Sequence, residues 1–408
     1  MRTIGLTLLL FLLASVSLAA DVEPKMHGKL FLIGGAERFD NRPLWDEYVR
    51  LAGGEGKTIA IIPAASFSPQ RAAQEMADQF QNLKLKSFIV PCGHKGFEKS
   101  IAEVAVDPQW AERVTAADAV FFTGGEQAKI LSAMRKADGS PTPLFAAVKA
   151  VYQRGGLVSG TSAGTAVMSD VMYRDAEFVL PTLLNGVTLG KEIDRGLGML
   201  NPRCMVDQHC LMKGRFARTL VPMRMFDIPF GLGIEEDTAI AVEGGTTAKV
   251  VGRSNVILLD CSQAERDANE PRLNWRKIRL NLLGHGDQVD LATGKVTVSP
   301  VKLKAWLIDP RKPGHDFTYK HRPFYNDILG PLAIAEAMIK LLDNPHEEAT
   351  GLAFDGRAAR TGDTPGFEFH LTRDEKSIGW EADTFGPSDY TILNIRLDIR
   401  PITIKGRL

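Results

Sequence analysis

The sequence predicts an α/β protein with a doubly wound, mostly parallel sheet, because short apolar runs alternate with amphipathic stretches through the first half of the chain. Three of the apolar runs end in turns of small residues, at Gly34-Gly35, at Gly124-Gly125 and around Ser162. In such sheets, ligands bind beyond the carboxyl ends of the strands. The three turns therefore mark the edge at which we expect a functional site.

The expected strands are short and rich in Val, Ile and Phe, as in a sheet that is covered on both faces. They span residues 29–33, 58–64, 87–90, 119–123, 157–159 and 205–206. The amphipathic stretches between them predict helices, since each begins or ends at Pro, Gly or an acidic residue. These helices span residues 43–51, 69–83, 108–116, 127–136 and 144–153.

From about Gly231 the pattern changes to strands joined by tight turns, which predicts an antiparallel extension of the same domain. Its expected strands span residues 231–243, 247–251, 256–260 and 278–283, and it ends near residues 286–291. After residue 302 we expect an added C-terminal region with a helix at 332–342 and strands at 367–372 and 390–404. Nothing in the sequence of this region indicates its role.

Length and charge exclude some classes of protein. A chain of 408 residues is long enough for about two to three domains. Its 49 Lys and Arg side chains balance 49 Asp and Glu side chains, so we expect no nucleic-acid partner. The spacing of the four cysteines fits no zinc site, and we expect neither a metal nor a cofactor. The thiols are either bridged, with three possible pairings, or free and buried; they are Cys92, Cys204, Cys210 and Cys261.

The first twenty residues resemble a secretory signal. Arg2 precedes an apolar run over residues 4–16, which is too short to span a bilayer comfortably, and small residues follow at 17–20. We therefore expect a signal peptide at residues 1–20 that is cleaved after Ala19 or Ala20. The mature protein would be secreted or periplasmic, with no membrane contact once the signal is removed. An uncleaved membrane anchor is the alternative, although no stop-transfer pattern lies nearby.

The pattern Gly160-x-Ser162-x-Gly164 follows an apolar strand and precedes a helix. This arrangement is typical of a nucleophile elbow, in which glycines on both sides let the backbone bend tightly and expose the serine hydroxyl. It indicates covalent catalysis by Ser162. The alternative is an ordinary Gly- and Ser-rich connection between a strand and a helix.

A serine nucleophile needs a base and an orienting acid. Among the eight histidines, His209 directly closes an apolar strand, and we expect it at the same edge of the sheet as the elbow. Three acids at residues 235–237 follow another apolar strand, and one of them can hold the second imidazole nitrogen. The alternatives are a structural histidine and a solvated acidic turn.

Four motifs in this order make the sequence recognisable, and together they resemble the cyanophycinases, serine exopeptidases of the peptidase E-like group. That group shares a fold with class I glutamine amidotransferases, and the resemblance spans roughly residues 28–291. We therefore expect a catalytic domain at 21–302 and an additional region at 303–408. The motifs are Gly124-Gly125-Glu126-Gln127, Gly160-Thr161-Ser162-Ala163-Gly164, Asp207-Gln208-His209 with Arg215 and Arg218, and the run from Gly233 to Ala239.

The resemblance implies Ser162 as the nucleophile, His209 as the base and Glu236 as the acid that orients it. It also implies an oxyanion hole made by the backbone amides of Gly125 and Ala163. The implied substrate is cyanophycin, a polyaspartate with arginine on each β-carboxylate, which is released as β-aspartyl-arginine dipeptides. Positions that match the family's substrate pocket are Gln127, Asp207, Gln208, Arg215 and Arg218.

Three positions depart from the family pattern and leave the exact substrate open. Cys210 stands where an aromatic residue usually follows the histidine, and Glu126 replaces a shorter acid. Lys213 stands where the family often has a third arginine, which keeps the charge but loses the forked geometry of a guanidinium.

The leading hypothesis is a secreted serine exopeptidase that cleaves cyanophycin to β-Asp-Arg dipeptides through an acyl-enzyme. The partner would be a polymeric or dipeptide aspartyl-arginine substrate, and a homodimer is left open. The alternatives are another peptidase E-like exopeptidase that acts on aspartyl or isoaspartyl peptides, and a non-catalytic binding module. A glutamine amidotransferase is disfavoured because such enzymes use a thiolate where this chain has Ser162.

The signal pattern makes a direct prediction. Because small residues precede Asp21, we expect the exported protein to begin at Ala20 or Asp21. N-terminal sequencing of the material secreted by an expressing host measures this. Recovery of the protein in a cytoplasmic pool with Met1 intact would contradict the prediction of export.

Overall fold

The computed structural model describes residues 28–406, apart from residues 268, 271 and 384–388. The expected signal peptide at residues 1–20 lies outside the described residues. None of the helices in the described part of the chain is long and apolar enough to cross a lipid bilayer.

The helices begin where capping residues and prolines favour a first turn. For example, Thr142 accepts a hydrogen bond from the Phe145 amide, and Pro143 occupies the first helical position of the helix that follows. The α-helices of the described chain are α1 (Arg42–Ala52), α2 (Pro69–Asn82), α3 (Ile101–Val106), α4 (Pro108–Thr115), α5 (Gln127–Met134), α6 (Pro143–Gln153), α7 (Ala163–Ala166), α8 (Val179–Asn185), α9 (Phe216–Met225) and α10 (Ala333–Leu342). Short 3₁₀ turns lie at Lys302–Lys304 and Ala358–Arg360.

The strands follow the expected apolar runs in the first half of the chain and are more numerous in the second half. They are β1 (Lys29–Ile33), β2 (Thr58–Ile62), β3 (Lys86–Ile89), β4 (Ala119–Phe122), β5 (Leu157–Thr161), β6 (Val171–Tyr173), β7 (Ile193–Arg195), β8 (Cys204–Gln208), β9 (Phe230–Ile234), β10 (Thr238–Glu243), β11 (Thr247–Gly252), β12 (Val256–Asp260), β13 (Glu265–Arg266), β14 (Trp275–Leu283), β15 (Gln288–Asp290), β16 (Val296–Thr297), β17 (Trp306–Ile308), β18 (Phe324–Tyr325), β19 (Glu348–Phe354), β20 (Thr364–Thr372), β21 (Ile378–Glu381) and β22 (Tyr390–Ile404).

The first sheet has the strand order β16-β15-β11-β10-β1-β5-β4-β2-β3. The five strands from β1 to β3 in this order are parallel, and the other four are antiparallel. Helices α1 and α2 pack on one face around Trp45, Tyr48 and Phe80, whereas α4, α5 and α6 pack on the other around Val114, Ile130 and Val148. The predicted α/β fold with a mostly parallel central sheet is confirmed.

The second sheet is mostly antiparallel and has the main strand order β18-β19-β20-β22-β14-β12-β9-β8. One face of it joins the core of the first sheet through residues such as Val206, Leu232 and Leu258. Its other face packs against α9 and α10 around Phe216, Met338 and other apolar side chains. The protein therefore stacks two sheets, with helices on both faces of the first sheet and on the outer face of the second.

Two sequence-based expectations about strands were wrong. The run 231–243 is not one strand: β9 belongs to the second sheet and β10 to the first, because the turn at Glu235–Asp237 carries the chain between the sheets with Asp237 at a φ of 53°. The strand that His209 closes, β8, also belongs to the second sheet rather than to the sheet of the elbow. It pairs in parallel with β9, which supplies the acidic turn.

The C-terminal residues extend the second sheet. The long strand β22 pairs with β14 on one side and with β20 on the other, so strands from both sides of residue 302 share one ladder. At this boundary the Lys302 ammonium lies 2.6 Å from an Asp389 carboxylate oxygen and 3.4 Å from one of Asp287, and all three side chains are buried. The predicted division of the chain at residue 302 stays a prediction.

The four cysteines are free thiols in the structure, and three of them are buried. Burial raises the pKa of the Cys92 thiol, and likewise of the Cys204 thiol, to about 12. Thiols with so little thiolate are poor nucleophiles and poor metal ligands.

Removing the buried cation at residue 302 should destabilise the fold. We expect Lys302→Met to lower the free energy of unfolding by about 3–5 kcal/mol, because Asp287 and Asp389 would stay buried without their cation. Denaturant unfolding followed by circular dichroism measures this. The matched control, Lys312→Met, removes an exposed lysine and should change stability by less than about 0.5 kcal/mol. Equal effects of both variants would contradict the prediction.

Candidate active site

The elbow serine is held in a backbone conformation that few residues adopt. Ser162 lies between β5 and α7 with φ 53° and ψ −112°, and its amide donates to the Ile33 carbonyl at 3.0 Å. A methyl group built on Gly160 would lie 2.4 Å from the Gly164 carbonyl oxygen, so the turn closes only if residue 160 is glycine. Positive φ at a serine that follows a parallel strand is the geometry of a nucleophile elbow.

The Ser162 hydroxyl meets an imidazole that in turn meets a carboxylate. The Ser162 Oγ lies 2.9 Å from Nε2 of His209, and Nδ1 of His209 lies 2.6 Å from Oε1 of Glu236. With the ring proton on Nδ1, the imidazole donates to Glu236 and accepts from the serine. The structure thus brings together three residues that are distant in sequence, in the order that an acyl-transfer site requires.

The turn after β1 sets the position of the imidazole. The His209 amide donates to the Gly34 carbonyl at 2.9 Å. Gly35 has a φ of 110°, and a methyl group built on it would lie 2.4 Å from Nε2 of His209. From its sequence this turn is recognisable only as rich in glycine. The structure shows that Gly35 is needed because the ring packs directly on its Cα.

The three consecutive acids have three different partners. Glu236 takes the imidazole, whereas Oε2 of Glu235 accepts the backbone amides of Leu211 and Met212 at 2.5 and 2.9 Å. Burial raises the pKa of Glu235, and the backbone hydrogen bonds act against that rise. The sequence predicted a role for one acid only, because nothing local shows that Glu235 holds the turn after His209.

The third carboxylate of the run, that of Asp237, faces the first sheet. Its Oδ1 accepts hydrogen bonds from the Arg38 amide and from Nδ2 of Asn41, both at 2.9 Å. Asp237 therefore fixes the chain that leaves the Gly34-Gly35 turn. Together the acids tie the segment after β8 and the segment after β1 to one tight turn.

The Gly124-Gly125 turn and the first residue of α7 adjoin the serine. A methyl group built on Gly124 would lie 3.7 Å from the Ser162 Oγ, which places the Gly124-Gly125 turn against the hydroxyl. Gly125 has a φ of 138° and no room for a side chain, since a methyl group there would lie 2.0 Å from the Ala65 carbonyl oxygen. Ala163 is the first residue of α7, and such amides have no acceptor within their own helix.

Asp207 and Arg218 are bound to each other. Nε and Nη2 of Arg218 lie 2.7 and 2.8 Å from the two Asp207 oxygens, and both side chains are almost completely buried. Nη1 of Arg218 donates to the Glu177 carbonyl at 2.7 Å. The resemblance implies that Arg218 is a substrate-pocket residue, whereas in the structure its fork is occupied by Asp207.

Arg215, Gln208 and Gln127 keep capacity for a ligand. Arg215 donates to the Gln208 carbonyl at 3.0 Å, and within the described chain no carboxylate forms an ion pair with it. Oε1 of Gln208 lies 3.3 Å from the Ser162 Oγ. Nε2 of Gln127 is buried and has no partner among the described residues. A buried guanidinium without a counterion and a free amide are groups that a bound substrate can satisfy.

Burial lowers the pKa of His209 below the ordinary value of 6.5. The Glu236 carboxylate acts against this shift, whereas the ammonium of Lys213 and the guanidinium of Arg215 support it. The imidazole is therefore neutral at neutral pH and able to accept a proton. In the described part of the chain no cluster of His, Cys, Asp and Glu has the geometry to hold a metal ion.

An α/β fold that presents a serine, an imidazole and a carboxylate in this order defines a serine-type hydrolase. Comparison with known proteins agrees: the model of peptidase family S51 matches residues 30–250, and the chain belongs to this family.

Curated relatives include the cyanophycinases of Synechococcus elongatus and Geminocystis herdmanii. Each is 29% identical to this chain over 66% of its length, and the match spans 81% and 95% of the respective relatives. A solved peptidase from an acI-B1 actinobacterium is 22% identical, with a TM-score of 0.47 over 65% of this chain and 98% of its own. The protein is a peptidase.

The lowered pKa of His209 makes a prediction about pH. Since only the neutral imidazole accepts the serine proton, we expect kcat/KM for a small activated ester to rise with pH and to reach half its plateau below pH 6.5. Lys213→Met should move this midpoint upward, because the nearby ammonium disfavours the imidazolium. The exposed control Lys312→Met should leave it unchanged. A pH profile in which Lys213→Met does not differ from the wild type would contradict the prediction.

Proposed function

We propose that the protein is an exported serine exopeptidase that hydrolyses cyanophycin to β-Asp-Arg dipeptides through an acyl-enzyme. The observation that carries the proposal is the hydrogen-bonded chain Ser162–His209–Glu236 next to a buried Arg215 that has no carboxylate partner in the described chain. The similarity to cyanophycinases over two-thirds of the chain supports this substrate. Export is supported by the pattern of residues 1–20.

In the proposed mechanism, Nε2 of His209 accepts the Ser162 proton while Oγ attacks the substrate carbonyl. Glu236 stabilises the imidazolium that forms. The amides of Gly125 and Ala163 donate to the tetrahedral oxyanion. When the intermediate collapses, the amine leaves with the proton from His209, and an acyl ester remains on Ser162. Water then attacks this ester, with His209 again acting as the base.

The pocket residues suit a substrate rich in carboxylates. Arg215 lies in a site from which water is largely excluded, and burial lowers the pKa of its guanidinium. A substrate carboxylate would give it charge-assisted hydrogen bonds and relieve that cost. Gln208, whose carbonyl Arg215 contacts, and Gln127, whose amide nitrogen has no partner in the described chain, add two amide groups. Arg218 contributes indirectly, because it holds Asp207 and so fixes the end of β8.

A second candidate is an exopeptidase for aspartyl or isoaspartyl peptides. The observation that favours it is the pairing of Arg218 with Asp207, which leaves Arg215 as the buried guanidinium available to one substrate carboxylate. Lys213, which replaces an arginine of the family pattern, does not restore a forked donor. A small substrate with one carboxylate near the scissile bond needs only one such guanidinium.

Product analysis tests the proposal. Purified protein is incubated with insoluble cyanophycin, and released products are identified by mass spectrometry. We expect β-Asp-Arg from the wild type and a loss of turnover on the order of 10³-fold or more in Ser162→Ala, because the triad acts as a unit. Circular dichroism checks that this variant is folded.

The matched control is Ser132→Ala, which removes an exposed serine on α5 and should keep wild-type turnover. Wild-type turnover in Ser162→Ala would overturn the nucleophile. Release of aspartate from isoaspartyl dipeptides without any β-Asp-Arg from cyanophycin would establish the second candidate instead.

A further inference from the structure

A carboxylate without a cationic partner lies beside the elbow. Glu37 follows the Gly34-Gly35 turn at the carboxyl end of β1, and its Oε2 accepts a hydrogen bond from Oγ1 of Thr161 at 2.5 Å. Thr161 is the residue directly before Ser162. No ion pair of the described chain includes Glu37, and the like charge of Asp237 helps to raise its pKa. Glu37 therefore lies one residue from the nucleophile with its charge uncompensated.

The other carboxylates around the site already have partners within the chain. Asp207 binds Arg218, Glu235 binds two backbone amides, Glu236 binds His209, Asp237 binds Asn41, and Glu126 binds Lys129. Burial raises the pKa of Glu37, and the Thr161 hydroxyl acts against this rise. A half-buried carboxylate without a counterion is costly to maintain, so a bound cation would stabilise it.

A second polar group, a hydroxyl that follows the neighbouring strand β4, lacks a hydrogen-bond partner in the described chain. Oγ1 of Thr123 is buried and has no hydrogen-bond partner among the described residues, and the whole residue is only 2% exposed. Strand β4 pairs with β5 up to Phe122 opposite Gly160, so Thr123 and Thr161 are the next residues along these two neighbouring strands. We call the place formed by Glu37, Thr123 and Thr161 the Glu37 recess.

The recess has the chemistry of a cation site. It offers one carboxylate and a free hydroxyl oxygen, both of which accept hydrogen bonds. A guanidinium presents several N–H groups in a plane and pairs with a carboxylate through a fork, whereas an ammonium presents three. A neutral or anionic group would leave the Glu37 carboxylate unpaired.

We propose that Glu37 binds a cationic group of the substrate residue placed at Ser162 and so determines specificity. This assignment rests on the proposed peptidase function. It complements Arg215: one site takes a substrate carboxylate and the other takes a substrate cation, as a polymer with both charges in each repeat requires. The cation is either the guanidinium of a substrate arginine or a terminal ammonium.

Three short synthetic substrates separate these sources. They are an oligomer of β-Asp-Arg units, the same oligomer with citrulline in place of arginine, and the arginine oligomer with its terminal amine acetylated. Citrulline keeps the shape of arginine and removes its charge. We expect the wild type to disfavour the citrulline oligomer by about tenfold to a hundredfold in kcat/KM, the size of one charge-assisted hydrogen-bonding site. A penalty that instead follows N-acetylation identifies the ammonium as the cation.

The variant Glu37→Gln keeps an oxygen that accepts from Thr161 and removes the charge. We expect it to lose about tenfold to a hundredfold in kcat/KM for the preferred substrate, mainly through KM, and to change less than about twofold for the substrate that lacks the recognised cation. The control Glu75→Gln, which removes an exposed carboxylate on α2 that pairs with Arg71, should match the wild type on all three substrates. Equal losses on substrates with and without the recognised cation would overturn the proposal, because Glu37 would then only support the elbow.

A binding measurement separates failure of the Glu37 assignment from failure of the proposed function. If the wild type cleaves none of the oligomers, the substrate proposal is wrong, and calorimetry on folded Ser162→Ala decides the role of Glu37. The ligands are L-argininamide, L-citrullinamide and N-acetyl-L-argininamide. Tighter binding of the two ligands with a guanidinium, or of the two with a free α-ammonium, supports the assignment if it disappears in Ser162→Ala/Glu37→Gln. Equal binding of all three ligands, or a preference that survives Glu37→Gln, overturns it.

Discussion

The hydrogen bond from the His209 amide to the Gly34 carbonyl joins the two sheets at the point where the site forms. His209 closes a strand of the second sheet, whereas Gly34 and Ser162 follow strands of the first. The distance of 2.9 Å between Ser162 Oγ and Nε2 depends on how the two sheets are stacked. Ser162, His209 and Asp237 all have positive φ. Such strain persists only when the surrounding structure fixes it, and here the packing of both sheets does so.

Stacking of the sheets also explains the electrostatics of the site. The site lies where the two sheets meet. Burial there desolvates every charge, so each charge needs a specific partner. The chain supplies Arg218 for Asp207, backbone amides for Glu235 and the imidazole for Glu236. The same desolvation keeps His209 neutral and ready to accept a proton. In the described chain, Arg215 and Glu37 form no ion pair, and a zwitterionic substrate can satisfy both charges.

The C-terminal residues also reach the place where the two sheets meet. The Leu332 amide donates to the Leu211 carbonyl at 2.9 Å, and a methyl group built on Gly214 would lie 2.3 Å from the Leu329 carbonyl oxygen. The turn after His209 is thus held by Glu235 on one side and by the segment before α10 on the other. Strand β22 and Lys302 hold the residues after 302 to the second sheet. These residues therefore support the position of the imidazole.

The sequence by itself determined the parallel strands β1 to β5, the glycine turns after them and the elbow at Ser162, because these depend on local hydrophobic runs and on glycines at tight bends. It also contained the motifs that predict His209 as the base and Glu236 as the orienting acid. Only the tertiary structure decided that residues 231–243 divide between two sheets, that Arg218 is taken by Asp207, and that Gly35 and Glu235 position the imidazole. Each of these depends on which distant residue lies opposite in a packed core, and the choice of such a partner leaves no periodic or local signal in the chain.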